Sequence, residues 1–90
     1  MYRREVKIKN TEGLHARPAS LFVREASKYS SEIFLEKDNK KVNGKSILGI
    51  LGLGAVLGDR IIISAEGEDA REAVNGLEIL VEGGFEREDG

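Results

Sequence analysis

Cysteine and tryptophan are absent from this chain, and histidine and proline occur once each. Without cysteine there is no disulfide, no thiol nucleophile and no thiolate-bound zinc. One histidine leaves only carboxylate-rich metal sites, and Asp and Glu form no compact cluster in the sequence; neither a metal nor another cofactor is expected. Two tyrosines and three phenylalanines are too few for the aromatic-studded basic face of a single-strand nucleic-acid binder. Basic excess is missing too: 14 Lys and Arg against 16 Asp and Glu give a net charge of −2, which weighs against direct binding of nucleic acid. No apolar run approaches the ~18 residues of a membrane span, and MYRREVKIKN at the start holds no apolar signal core. The expectation is a soluble cytoplasmic protein without membrane insertion.

What is present suits one folded domain, residues 1–90. The 33% of charged residues are spread along the length beside 40% apolar ones, which points to a solvated surface over a core rather than to disorder. Tyr2 to Lys9 alternate, with Val6 and Ile8 on one face, as in a half-buried strand. From Ala16 the period becomes helical: Ala19, Phe22, Val23 and Ala26 form one stripe. Arg17, Leu21, Arg24 and Lys28 lie opposite, a basic outward face with an exposed leucine in its middle. EIFLEKDNKKVN reads as a hairpin turning at KDNK, with Ile33, Leu35 and Val42 inward. SILGILGLGAVLG is apolar on every side; Ser46 is placed to cap a short helix, which its glycines should end near Gly54.

DRIIISAEG is the clearest strand, with Ile61, Ile63 and Ala65 on one face. Asp69 and Glu72 have capping-box spacing ahead of a helix whose stripe is Ala70, Ala73, Val74, Leu77, Leu80 and Val81. EGGFEREDG then reads as a polar tail. The order is β-α-β-β-α-β-α. Each strand has one apolar face and each long helix one stripe, so an α+β fold with helices on one face of a single sheet buries them all.

The lone histidine and proline fall three positions apart, in GLHARPAS. Pro18 fits a first helical turn, where its missing N–H has no partner to lose. His15 is thereby placed at or beside the N-cap, with the amides of Ala16 and Arg17 nearby. The positive end of a helix favours the neutral, nucleophilic form of an imidazole. A phosphoryl group on that nitrogen would meet a cradle spanning Ala16 to Pro18, in which the amides of Ala16 and Arg17 and the helix dipole face the group and Pro18 shapes the turn. Arg17 would add a charge-assisted contact. On local chemistry two readings stand: a phosphate-handling site, or a plain helix start with a solvated histidine.

GLHARPAS, followed by KVNGKSILGILGLG and then SAEGED, resembles the histidine-containing phosphocarrier (HPr) family of the bacterial phosphoenolpyruvate:sugar phosphotransferase system, over nearly the whole chain. The family motif G-[LI]-H-A-R-P-A is filled at every position. The resemblance implies an open-faced β-sandwich, a four-stranded antiparallel sheet with three helices on one face. It implies that His15 accepts a phosphoryl group on Nδ1 from enzyme I and passes it to enzyme II A domains, with Arg17 as the phosphate-site arginine. Such a chain is a relay protein and not an enzyme with turnover of its own, and a monomer.

Ser46 stands where the family's regulatory serine stands. The resemblance implies phosphorylation there by an ATP-dependent serine kinase/phosphorylase, and binding of that form to catabolite control protein A. Phosphoserine adds about −1.5 to −2 charges, which would repel an acidic partner, and an N-cap role is compatible with this. The expected docking face joins Leu21 and Arg24, from the outward face of the first helix, and Lys45 to Ile47, Leu48 and Leu51, which the resemblance places outside while it puts Ile50 and Leu53 in the core. Periodicity alone leaves Ile47, Ile50 and Leu51 as an equally good buried face.

Departures from the family pattern are Gly52, where serine or threonine is common, Gly44 before Lys45, and the long acidic tail. Rival readings are a regulatory or nitrogen-related phosphorelay paralogue, and a scaffold domain in which HARP is only a helix start. A further rival, a purely regulatory protein acting through Ser46, is opposed by His15, because the regulatory relative without carrier activity lacks the active histidine.

Overall fold

The computed structural model describes residues 1–86. Its elements are β1 (Tyr2–Lys7), α1 (Ala16–Ala26), β2 (Glu32–Lys37), β3 (Lys40–Asn43), α2 (Ile47–Gly52), β4 (Arg60–Glu66) and α3 (Ala70–Glu82). The strands form one antiparallel sheet in the order β1-β4-β2-β3. Its register sets apolar residues opposite one another on the inner face: Val6 faces Ile61, Leu35 faces Ile63 and Val42, and Ile33 faces Ala65. The two-residue turn Asp38–Asn39 has φ of 51° and 67°, the left-handed pair that matches the twist of a tight hairpin.

The helices cover that inner face. Helix α3 lies on β1, β4 and β2, α1 packs against α3 and α2, and α2 reaches β3. All six residues of the α3 stripe are buried, with Ala73, Val74, Leu77 and Val81 fully so, and Phe22 of α1 is buried between the layers. The architecture is the expected open-faced sandwich with the expected element order.

Three expectations about the fold fail, the first two because distant residues decide the matter and the third because of a local helix cap. Leu21 is 8% exposed and belongs to the core, so it is no outward docking residue. Helix α1 has a helix on each flank, and its buried set Pro18, Ala19, Leu21, Phe22, Glu25 and Ala26 spans an arc of about 160° at 100° per residue. A single narrow stripe underestimates this arc.

The Asp69–Glu72 capping box does not form: Asp69 is the N-cap of α3 but makes no side-chain cap bond. Its carboxylate accepts the amides of Ser30 and Ser31, at 2.9 and 3.0 Å, and the Ser31 hydroxyl. It ties the start of β2 to the start of α3.

The third failure is the polar tail, whose residues 87–90 lie outside the described residues. Phe85 is fully buried. Its N–H donates to Leu80 C=O at 3.0 Å, and that of Gly84 to Val81 C=O at 3.0 Å. This is the paired 6→1 and 5→2 bonding of a Schellman cap, with Gly84 at the left-handed position, φ +72°. An apolar residue after the cap packs back onto the helix end, as Phe85 does here.

Candidate functional site

The site begins in the loop between β1 and α1. Past the end of β1, Ile8 continues the pairing: its N–H donates to Asp59 C=O at 2.9 Å, and its C=O accepts from Gly58 at 2.8 Å. Asn10 then closes a turn, accepting the Gly13 amide at 3.2 Å and donating its own Nδ2 to Gly13 C=O at 2.9 Å. At Gly13 the backbone has φ +63°, and a Cβ would lie 2.5 Å from Ala55 O and 2.8 Å from Val56 Cα. Only glycine meets both demands. Buried Leu14 donates its N–H to Ala55 C=O at 3.0 Å.

His15 follows as the N-cap of α1, in an extended conformation, and its own side chain makes no cap bond. Its carbonyl accepts the Ala19 amide at 2.8 Å. The residue is exposed, so the imidazole stands in solvent on a backbone held from both sides. Ala16 and Arg17 occupy the first turn, where amides have no carbonyl partner within the helix. Buried Pro18 sits in the same turn and forfeits no bond. Arg17 does not project freely: its Nη2 donates to Glu12 Oε1 at 3.2 Å.

Ser46 is the N-cap of α2 and accepts the Gly49 amide on Oγ at 3.1 Å. The helix runs six residues to Gly52, whose carbonyl takes the Lys40 ammonium at 2.8 Å. Ile50 and Leu53 point into the core, while Leu48 is 82% exposed and Ile47 and Leu51 are exposed beside it. Arg24 is exposed on α1. Lys45 is no free rim cation, because its Nζ donates to Tyr29 C=O at 2.7 Å and the residue is half-buried. The carbonyls that follow a helix end attract an ammonium, and this one is spent there.

Two features escaped the sequence reading. Val56 and Leu57 are exposed apolar residues, and the approach of Val56 to Gly13 brings them next to the histidine loop. Glu12 is the ion-pair partner of Arg17. The members of that pair are five positions apart, and the turn at Asn10 had to be known for it to be foreseen. Among the described residues no group of His, Cys, Asp and Glu could hold a metal ion, and no helix is long and apolar enough to cross a membrane. A cleft of about 390 Å³ lined by Glu25, Gly76, Ile79, Leu80 and Gly83 lies at the other end of α1 from His15.

Comparison with known proteins shows the family to which the chain belongs. The family described as the PTS HPr component phosphorylation site matches residues 2–83. The chain belongs to the HPr family. HPr-like protein Crh of Halalkalibacterium halodurans is 48% identical over 82 residues, 91% of this chain and 98% of that one. Phosphocarrier protein HPr of Borreliella burgdorferi is 46% identical, over 91% and 95% of the two chains. Among solved structures, HPr-C-His from Thermoanaerobacter tengcongensis superposes with a TM-score of 0.93 at 55% identity, covering 98% of this chain and 99% of its own. A dimeric HPr from the same organism matches with a TM-score of 0.77 at 54% identity, over 97% and 100%. A phosphocarrier role in the phosphotransferase system follows from HPr membership, and with it partners of that system.

Proposed function

We propose that the chain takes a phosphoryl group on His15 from phospho-enzyme I and delivers it to enzyme II A domains. The observation that carries this reading is the placement of His15: exposed, directly ahead of α1, with its carbonyl engaged by Ala19. In the loading step a lone pair of the imidazole, on Nδ1 by family resemblance, attacks phosphorus. A new N–P bond forms as the donor's N–P bond breaks, and the bonding pair returns to the donor's imidazole. The incoming oxygens meet the first-turn amides of Ala16 and Arg17 and the positive end of α1. The Arg17 guanidinium supplies further donors to them. Pro18 holds the turn in shape without adding a donor. Unloading is the same step reversed on a new acceptor, so the site must hold the group without trapping it.

Docking rests on the exposed apolar group Ile47, Leu48 and Leu51, extended by Val56 and Leu57, with Arg17 and Arg24 as the cations at its edge. An apolar patch with a basic edge fits a transient contact with acidic partners. Every residue the reading uses lies on one chain. Phosphorylation of Ser46 by a serine kinase/phosphorylase would add charge to this face and slow loading, and catabolite control protein A is the proposed reader of that form. Likeness to Crh supports a second reading, in which regulation through Ser46 is the chief task.

A reconstituted relay separates the two. With phosphoenolpyruvate, enzyme I and an A domain, labelled phosphate should reach the A domain only when this chain is added. Absence of transfer with enzyme I and A domain from the same host would favour the regulatory reading.

A further inference from the structure

Arg17 is engaged before any phosphoryl group arrives. Its Nη2 donates to Glu12 Oε1 at 3.2 Å, and the loop holds Glu12 where this happens. The paired contacts between Asn10 and Gly13 close residues 10–13 into a turn, leaving Glu12 on the surface three positions before His15. The Arg17 and Glu12 side chains are 56% and 51% exposed. Such a pair is weak, and it separates without stranding a charge in the interior.

We propose that Glu12 is a positioning residue for phosphoryl transfer: its carboxylate holds the Arg17 guanidinium while His15 is free, and competes with the phosphoryl oxygens for it once His15 is loaded. This rests on the reading of His15 as the phosphoryl acceptor. A guanidinium presents its N–H groups as a rigid fork, so the edge given to a carboxylate is withheld from a phosphoryl oxygen. In the free protein one cation meets one anion. In the loaded protein the same cation is contested by a carboxylate and a group bearing about two negative charges.

Glu12 therefore lowers the stability of the loaded state relative to the free one. The group is held more loosely, which serves a carrier that must give it up. Neutralising Glu12 should have the opposite effect and make the chain a tighter, slower donor.

The test compares wild type, Glu12→Gln, Glu12→Asp and Arg17→Ala, and the double variant Glu12→Gln with Arg17→Ala. Two quantities are read: the equilibrium of phosphoryl exchange with enzyme I, and the lifetime of the phosphohistidine at neutral pH. Glu12→Gln should shift the equilibrium toward the loaded chain by about two- to five-fold, the worth of an exposed ion pair, and should lengthen the lifetime. Glu12→Asp, which keeps the charge, should stay near wild type, and added salt should shrink the Glu12→Gln shift. In the Arg17→Ala background Glu12→Gln should change nothing, because Glu12 acts through Arg17. An unchanged equilibrium in Glu12→Gln, or the same shift in both backgrounds, overturns the proposal. Failure of the wild-type chain to accept any phosphoryl group overturns the reading of His15 as well, and is told apart by appearing before any substitution is made.

Discussion

The carbonyl of His15 accepts the amide of Ala19 at 2.8 Å, so the last residue of a loop is also the first acceptor of α1. One position earlier, Leu14 N–H is tied to Ala55 C=O. The backbone of His15 is thus fixed by a helix on one side and by the segment before β4 on the other, while its side chain stays in solvent. A relay needs that combination. An imidazole on a wandering loop would have to be ordered at each encounter, at an entropic cost of about 1–2 kcal/mol per residue.

Leu48 and Leu21 should separate docking from packing. Leu48 is 82% exposed and Leu21 is 8% exposed. Leu48→Asp is expected to leave stability within about 0.5 kcal/mol of wild type while slowing transfer from enzyme I. Leu21→Ala is expected to cost about 2–5 kcal/mol of stability. Urea denaturation and initial transfer rates, measured on both variants, check the pair. Normal transfer by Leu48→Asp would remove it from the docking face.

Charge at Ser46 should act on docking, separately from its cap. Ser46→Asp retains an N-cap oxygen and adds a negative charge, so its stability should stay close to wild type. Its phosphorylation by enzyme I should fall roughly tenfold, as like charges meet across the contact. Ser46→Ala adds no charge but gives up the bond to Gly49, at a cost of about 1 kcal/mol. Stopped-flow transfer rates beside thermal unfolding test both, and an unchanged rate in Ser46→Asp would exclude the electrostatic switch.

Asp69 should make stability depend on acid. The Ser31 hydroxyl, and after it the Ser30 amide, hold its carboxyl below the usual carboxylate range, against a smaller opposing effect of burial. A folded-state value below the unfolded one means that the native state favours the charged form. That stabilisation is complete above the unfolded value of about 3.9 and is lost as pH falls through the folded value. Urea midpoints measured from neutral pH into the acid range should show Asp69→Asn weaker than wild type at neutrality. The gap should close on acidification. A gap that stays constant with pH would mean that the Asp69 charge contributes nothing.

Local pattern carried much of this molecule. The alternation of Ile61, Ile63 and Ala65, the α3 stripe from Ala70 to Val81 and the Ser46 cap depend on neighbours within a few residues, and they stand as read. The start of α1 at Ala16, with His15 ahead of it, was legible for the same reason. The misread residues answer to partners far along the chain. Asp69 bonds Ser31 across 38 positions, Lys45 finds Tyr29 across 16, and Leu21 is covered because α1 lies between two helices. Phe85 could have been read from the two glycines before it, since Gly83–Gly84 followed by an apolar residue is the composition of a helix C-cap. Glu12 and Val56 needed the folded loops: one turn brings a carboxylate to Arg17, and another lays an apolar residue against Gly13.

The most direct measurement is the intact mass of the wild-type chain and of His15→Ala after incubation with phosphoenolpyruvate and enzyme I, repeated after brief acid treatment. Wild type should gain one phosphoryl group that acid removes, since an N–P bond is acid-labile, and His15→Ala should gain none while keeping its fold. An added group that survives acid, or one that persists in His15→Ala, would contradict the assignment of the carrier nitrogen to His15.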